Sequence, residues 1–135
     1  MYIHATKIRI RYGETDQMGY VYYGNYAQFF EIGRVETLRS LGFSYKSIED
    51  QGIMLPVANL QIRYLKPALY DDLITIRTKI IGIPTAKIEF TYEIFNETDV
   101  LLTTASTTLV FVKKETMRPT SPPPSLIQKL KELAS

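Results

Sequence analysis

Between Leu60 and Ile94 the chain alternates apolar and polar residues in three successive stretches, with Thr78 the one break in the apolar set. Leu60, Ile62 and Tyr64 form the first set and Ile74, Ile76 and Ile80 the second. Ala86, Ile88, Phe90, Tyr92 and Ile94 form the third, with Lys87, Glu89, Thr91 and Glu93 filling the gaps. Side chains on a strand alternate between faces, so each stretch predicts a half-exposed strand with one face on a core. A fourth run, Leu101–Lys113, carries Thr or Ser at 103, 104, 106, 107 and 108, a composition that favours a strand over a helix. Connections such as Asn96–Asp99 are short enough for antiparallel hairpins. Near the start of the chain, Ala5–Tyr12 alternates as well, with Ile8, Ile10 and Tyr12 opposite Lys7, Arg9 and Arg11.

The longest helical pattern runs from about Gly24 to Leu41. Its apolar residues Tyr26, Phe29, Phe30, Ile32, Val35, Leu38 and Leu41 cover more than one stripe, which predicts a central helix that water hardly reaches. Gly33 in mid-helix costs about 1 kcal/mol against Ala. That cost implies the close approach of another backbone, such as a sheet wrapped around the helix. Tyr45–Gln51 reads as a short polar helix or turn, and Pro122–Pro124 stops the sheet. Leu126, Ile127, Leu130 and Leu133 then predict a short amphipathic C-terminal helix. The order β-α-(α)-β-β-β-β-α is an α+β architecture, one antiparallel sheet around one helix. At 135 residues, 45% of them hydrophobic, the chain is expected to form one domain over residues 1–135.

Several function classes drop out. No apolar run approaches the roughly 18 residues of a membrane helix. MYIHATKIRIRYGE lacks the apolar core and cleavage site of a signal peptide, so the expected location is cytoplasmic. A net charge of +2 is too small to argue for nucleic acid. There is no Cys, and the single His, His4, is expected on the surface ahead of the first strand. The absence of Cys excludes thiolate nucleophiles and zinc–sulfur sites, and a lone His outside any motif speaks against a Ser-His-Asp arrangement. Asp71 and Asp72 would point to opposite faces of a strand, which is poor metal geometry, and no metal is expected. No phosphate-binding glycine loop is followed by Lys-Ser or Lys-Thr.

What remains to be explained is RYGETDQMGYVYYGNYAQFFE, Arg11 to Glu31, between the first strand and the helix. A loop that ends at a helix N-terminus leaves backbone N–H groups unpaired at the positive end of the helix dipole, which suits a developing oxyanion. Gly19 and Gly24 remove Cβ where the backbone turns sharply or a substrate comes close. Asn25, with Gln28 three residues on, is placed to cap the helix.

The run T-D-x-x-G-x-V-Y-x-x-x-Y-x-x-x-F-E, here Thr15-Asp16, Gly19, Val21-Tyr22, Tyr26 and Phe30-Glu31, resembles the signature of the hotdog-fold 4-hydroxybenzoyl-CoA thioesterase and acyl-CoA thioesterase family. Leu65-Lys66-Pro67-Ala68 and Asp71-Asp72-Leu73 resemble that family's YLKPA…DDL turn, so the likeness covers about Ile8 to Lys113. The resemblance implies a hotdog fold, a five-stranded antiparallel sheet of order 1-3-4-5-2 curled around the long helix. It also implies homodimers or tetramers, with two subunits sharing a continuous sheet and active sites at their interface. The implied reaction is hydrolysis of acyl-CoA thioesters, with CoA as part of the substrate and no separate cofactor.

Carried over residue by residue, the resemblance makes Asp16 the catalytic carboxylate, as nucleophile or as general base toward water. The Tyr23 backbone N–H becomes the group that polarises the thioester carbonyl. Many relatives carry His at that position; Tyr23 removes a proton donor and keeps the N–H. Gly24 and Tyr26 would flank the substrate. Arg63 and Lys66, together with Lys113 and Lys114, are candidates to meet the phosphates of CoA. Phe29, Phe30, Ile53, Met54 and Leu55 are candidates for an acyl tunnel. Glu31 is expected to bond a loop N–H or to pair with Arg34, and it is the fallback catalyst. Two alternatives stay open. One is an acyl-CoA binding or sensing module, which dispenses with the carboxylate; the other is a hotdog hydratase or dehydratase, which needs a His in the site. Acyl-chain length and the choice between CoA and carrier-protein thioesters are left open by the residues.

Overall fold

The computed structural model describes residues 1–134. Its elements are β1 (Tyr2–Arg9), α1 (Tyr26–Ser40), α2 (Tyr45–Asp50), β2 (Ile53–Met54), β3 (Val57–Tyr64), β4 (Leu73–Ile81), β5 (Lys87–Phe95), β6 (Leu101–Val110), β7 (Val112–Lys113) and α3 (Pro124–Ala134). The five long strands form one antiparallel sheet in the order β1-β4-β5-β6-β3. Counted along the chain that is 1-3-4-5-2, the order expected. β2 and β7 make a separate two-stranded ribbon.

Alternation explains the layering. On β4 and β5 the register sets Ile76 against Ile94, Thr78 against Tyr92 and Ile80 against Phe90, and all six are buried on the side that faces α1. The residues between them, Arg77, Lys79, Glu89 and Glu93, face away, and Arg77 and Lys79 both pair with Glu93 at 3.7 Å. The β5–β6 hairpin closes as its sequence predicts. The Asn96 side-chain oxygen accepts from the N–H groups of Thr98 and Val100, and Asp99 takes the left-handed conformation at φ 61°.

α1 lies across β1, β4 and β5. Gly33 permits this, although side chains and not a backbone come close. A Cβ built there would stand 2.5 Å from Thr78 Oγ1 and 3.0 Å from Ile76 Cγ2. Gly33→Ala should therefore destabilise the protein by a net ~1 kcal/mol, since overpacking costs about 1–3 kcal/mol and the helix-propensity gain returns about 1. Urea denaturation checks this, and a midpoint unchanged or raised would show that Thr78 turns aside freely.

Four expectations need correction. The first strand begins at Tyr2 and ends at Arg9, so His4 lies inside it, half-buried opposite Thr78. Tyr12 has left the strand and is 77% exposed, because the chain bends into a 3-10 turn at Tyr12–Glu14 closed by the Glu14 carboxylate on the Arg11 N–H. The α1 helix is less enclosed than its composition suggests. The sheet covers one side of it only, leaving Ala27, Gln28, Glu31, Ile32 and Arg39 exposed. Asp71 and Asp72 precede β4 in a turn: Asp71 takes φ 69°, and the Asp72 carboxylate accepts from the Leu69 N–H. At the C-terminus, α3 buries Leu126 and Leu130 as its pattern predicts. Among the described residues no helix is long and apolar enough to cross a membrane.

Candidate active site

Residues 15–21 form a miniature hairpin. Thr15 and Val21 bridge, the Asp16 N–H donates to the Tyr20 carbonyl at 2.8 Å, and the Gly19 N–H donates back to the Asp16 carbonyl at 3.0 Å. Gly19 sits at φ 77°, a conformation glycine adopts without Cβ strain. At the head of the turn, Asp16 Oδ1 accepts from the N–H groups of Met18 at 2.9 Å and Tyr20 at 3.2 Å. These bonds lock the carboxylate's orientation, and Oδ2 receives no hydrogen bond from the described residues.

The Pro67–Asp72 turn carries this hairpin. The Val21 N–H donates to the Ala68 carbonyl at 2.8 Å, the Tyr70 N–H donates to the Gly19 carbonyl at 3.1 Å, and Tyr20 bridges Leu69. Position 16 is thus set from the segment between β3 and β4, about fifty residues away along the chain.

On the other side the hairpin runs into the helix. The Glu14 carbonyl accepts from the Tyr22 N–H and from Asn25 Nδ2, both at 2.9 Å, and a 3-10 turn at Tyr23–Asn25 leads into α1. Asn25 does not cap the helix as expected. It has already taken helical backbone angles, φ −80° and ψ −14°, from which its side chain reaches back to the loop. The turn's internal bonds start at the Asn25 N–H, and the N–H groups of Tyr23 and Gly24 have no partner among the described residues.

Carboxylate and helix start meet in one cleft of about 340 Å³. Asp16, Tyr23, Tyr26 and Lys66 line it together with Tyr20, Val21, Tyr64, Leu65 and Pro67. Tyr26 is 2% exposed and holds Tyr64 edge-on at 5.1 Å, and burial raises its phenol above the ordinary value. The walls of the cleft are thus largely aromatic and aliphatic, with one carboxylate inside and one ammonium among the lining residues.

Other expected site residues lie elsewhere. Arg63 faces the opposite side of the sheet beside Gln61 and Thr104, because adjacent strand residues point to opposite faces and Tyr64 faces the cleft. Lys113 belongs to the β2–β7 ribbon and Lys114 to the turn that follows it, where its N–H donates to the Gly52 carbonyl; neither lines the cleft. Phe29 and Phe30 are fully buried core, and Ile53 and Met54 form β2, so none of them lines the cleft. Glu31 is exposed on α1 and does not meet Arg34. Arg34 turns inward instead, donating to the Tyr45 and Tyr92 hydroxyls at 3.2 Å each, and Tyr92 shares a 2.7 Å bond with Thr107. Burial pushes the Tyr92 phenol up to about 12, so it faces the guanidinium as a neutral hydroxyl. His4 lies beneath α1 in β1 and is not among the residues that line the cleft. Sequence reasoning missed Tyr20 and Tyr64 as cleft residues; the signal for Tyr64 was its alternation with Arg63.

Residues 10–130 match the profile described as the thioesterase-like superfamily. A putative acyl-CoA thioesterase, YneP, of Bacillus subtilis is 35% identical over 88% of this chain and 86% of its own length. The Escherichia coli acyl-CoA thioester hydrolase YbgC is 31% identical over 93% of each chain. Among solved structures, a DHNA-CoA thioesterase from Staphylococcus aureus superposes with a TM-score of 0.93 at 36% identity, covering 99% of this chain and 92% of that one. The chain belongs to the thioesterase-like superfamily and has its hotdog fold.

Proposed function

We propose that this protein hydrolyses acyl-CoA thioesters to the free acid and CoA, with Asp16 as the working carboxylate and the N–H at Tyr23 polarising the thioester carbonyl. The observation that carries this reading is the meeting in one cleft of the Asp16 carboxylate, with one free oxygen, and Tyr23 at the helix start, whose N–H is free; the free Gly24 N–H is next along the chain, although Gly24 itself is not among the cleft's lining residues. Such donors stabilise the oxyanion that forms when the carbonyl is attacked. Asp16 either attacks the carbonyl carbon itself, expelling CoA and leaving a mixed anhydride that water then hydrolyses to free acid and carboxylate, or takes a proton from an attacking water and passes it to the departing CoA thiolate. Gly24 and Tyr26 flank the thioester. Of the basic residues expected to meet the CoA phosphates, Lys66 is the one among the cleft's lining residues and fills that role.

The similarity to enzymes named for acyl-CoA and for DHNA-CoA, and the tyrosine walls of the cleft, support both aliphatic and aromatic acyl groups as substrates to be tried. The test is a hydrolysis screen with release of free CoA as the readout, over acetyl-, hexanoyl-, palmitoyl- and benzoyl-CoA and the matching carrier-protein thioesters. Turnover of at least one is expected, and none would overturn the reading.

The assembly is proposed to be a homodimer or a tetramer built from dimers. β3 ends the sheet order, and Val57, Leu60 and Tyr64 along it are 49%, 40% and 48% exposed. A long, apolar, unpaired edge invites pairing with a second copy. Sedimentation at micromolar concentration should show species heavier than the 15.5 kDa chain, and a single 15.5 kDa species would remove this part of the proposal.

A further inference from the structure

The last residue of β3 touches the helix start in a way the proposed reaction has not used. The Tyr64 hydroxyl donates to the Tyr23 carbonyl at 3.1 Å. The same carbonyl accepts the Tyr26 N–H inside the 3-10 turn. A carbonyl oxygen has two lone pairs, and here both are engaged. The nitrogen end of that same peptide group is the Gly24 N–H, one of the two free donors at the helix start. Donors on an amide oxygen draw density through the C–N bond and make the N–H a stronger donor, and they hold the peptide plane against rotation. The preceding peptide differs: the Tyr22 carbonyl accepts the Asn25 N–H, with no side chain added.

We propose that Tyr64 is a positioning residue for the thioester reaction, orienting and polarising the Tyr23–Gly24 peptide so that the Gly24 N–H joins the Tyr23 N–H as a second donor to the thioester oxygen. This rests on the reading that the helix start binds that oxygen. Tyr64 is suited to the task because its ring is held edge-on to the buried Tyr26. Desolvation raises its phenol above the ordinary value, so the hydroxyl keeps its proton.

The test combines kinetics with a carbonyl probe. Tyr64→Phe retains the ring and the wall of the cleft and removes the donor. Its kcat, on the acyl-CoA hydrolysed fastest in the screen above, should fall about fivefold to tenfold, the upper part of what a single neutral hydrogen bond contributes. KM should stay within about twofold and the melting temperature should be unchanged. Independently, the same acyl-CoA labelled with carbon-13 at its carbonyl is bound to Asp16→Asn and its stretching band read by difference infrared spectroscopy. The band should lie below its position in water, move part of the way back on adding Tyr64→Phe, and move lower with 3-fluorotyrosine at 64, a stronger donor that preserves the fold. A downshifted band that ignores both changes at 64 overturns the proposal, as does an unchanged kcat. A band with no downshift in Asp16→Asn itself overturns the reading beneath it and this inference together. If Asp16→Asn turns over normally while the effects at 64 hold, the carboxylate has been misassigned and the role of Tyr64 stands.

Discussion

Asp16→Asn should lower thioester hydrolysis by at least roughly a hundredfold, the low end of what a positioned acid or base contributes, while the fold persists. The geometry makes this substitution unusually clean. Oδ1 takes both hydrogen bonds, from Met18 and Tyr20, and an asparagine carbonyl oxygen accepts the same two, so the turn and the side-chain rotamer survive. What changes is the second oxygen, which becomes an NH2 group without a lone pair for attack or for a proton. Acyl-CoA binding should persist or tighten, since an anionic ligand no longer meets a carboxylate. Glu31→Gln is the matched control; Glu31 is exposed and is not one of the cleft's lining residues, so its rate should stay within about twofold. The checks are kcat/KM, melting temperature and calorimetric binding. Near-normal turnover in Asp16→Asn with loss in Glu31→Gln would move the catalyst to the helix.

Gly24→Val should reduce turnover by about a hundredfold, comparable with the loss of one oxyanion donor, and change stability by less than about 1 kcal/mol. A Cβ at this position would stand 2.6 Å from Cε2 of the Tyr22 ring, so the ring must leave. Tyr22 is 49% exposed and can swing into solvent, which is why the fold tolerates the change. The site is expected not to tolerate it, because a β-branched residue restricts the backbone dihedrals at 24 that set the directions of the Tyr23 and Gly24 N–H groups. Turnover measured beside urea denaturation separates the two effects. Activity and stability falling in proportion would make Gly24 a structural residue and remove it from the site.

Much of the architecture was legible because strands and helices announce themselves through local periods. The three clearly alternating runs, the helix from the mid-twenties to about 40 and the C-terminal amphipathic turn all lie where their patterns put them. Arg63 shows a legible feature passed over: the alternation that sets Tyr64 toward the cleft also sets Arg63 away from it, and its charge drew attention to the wrong face. Asn25 shows the opposite case. Its spacing to Gln28 fits a helix cap, yet the Glu14 carbonyl offers a partner that the local sequence does not reveal.

The sequence by itself determined which residues face a core, where the chain must turn, and, through the Thr15-to-Glu31 motif and its resemblance, which carboxylate and which helix start to examine. These follow from periodicity and from glycine and proline geometry, which act over a few residues at a time. Only the tertiary structure decided the partners. Arg34 meets Tyr92, 58 positions on, and not the neighbouring Glu31; the hairpin of Asp16 hangs from Ala68 and Tyr70; Tyr64 reaches the carbonyl of Tyr23, 41 positions back. Such contacts depend on where the sheet order and the crossing of α1 bring distant segments together, and no local period encodes that distance.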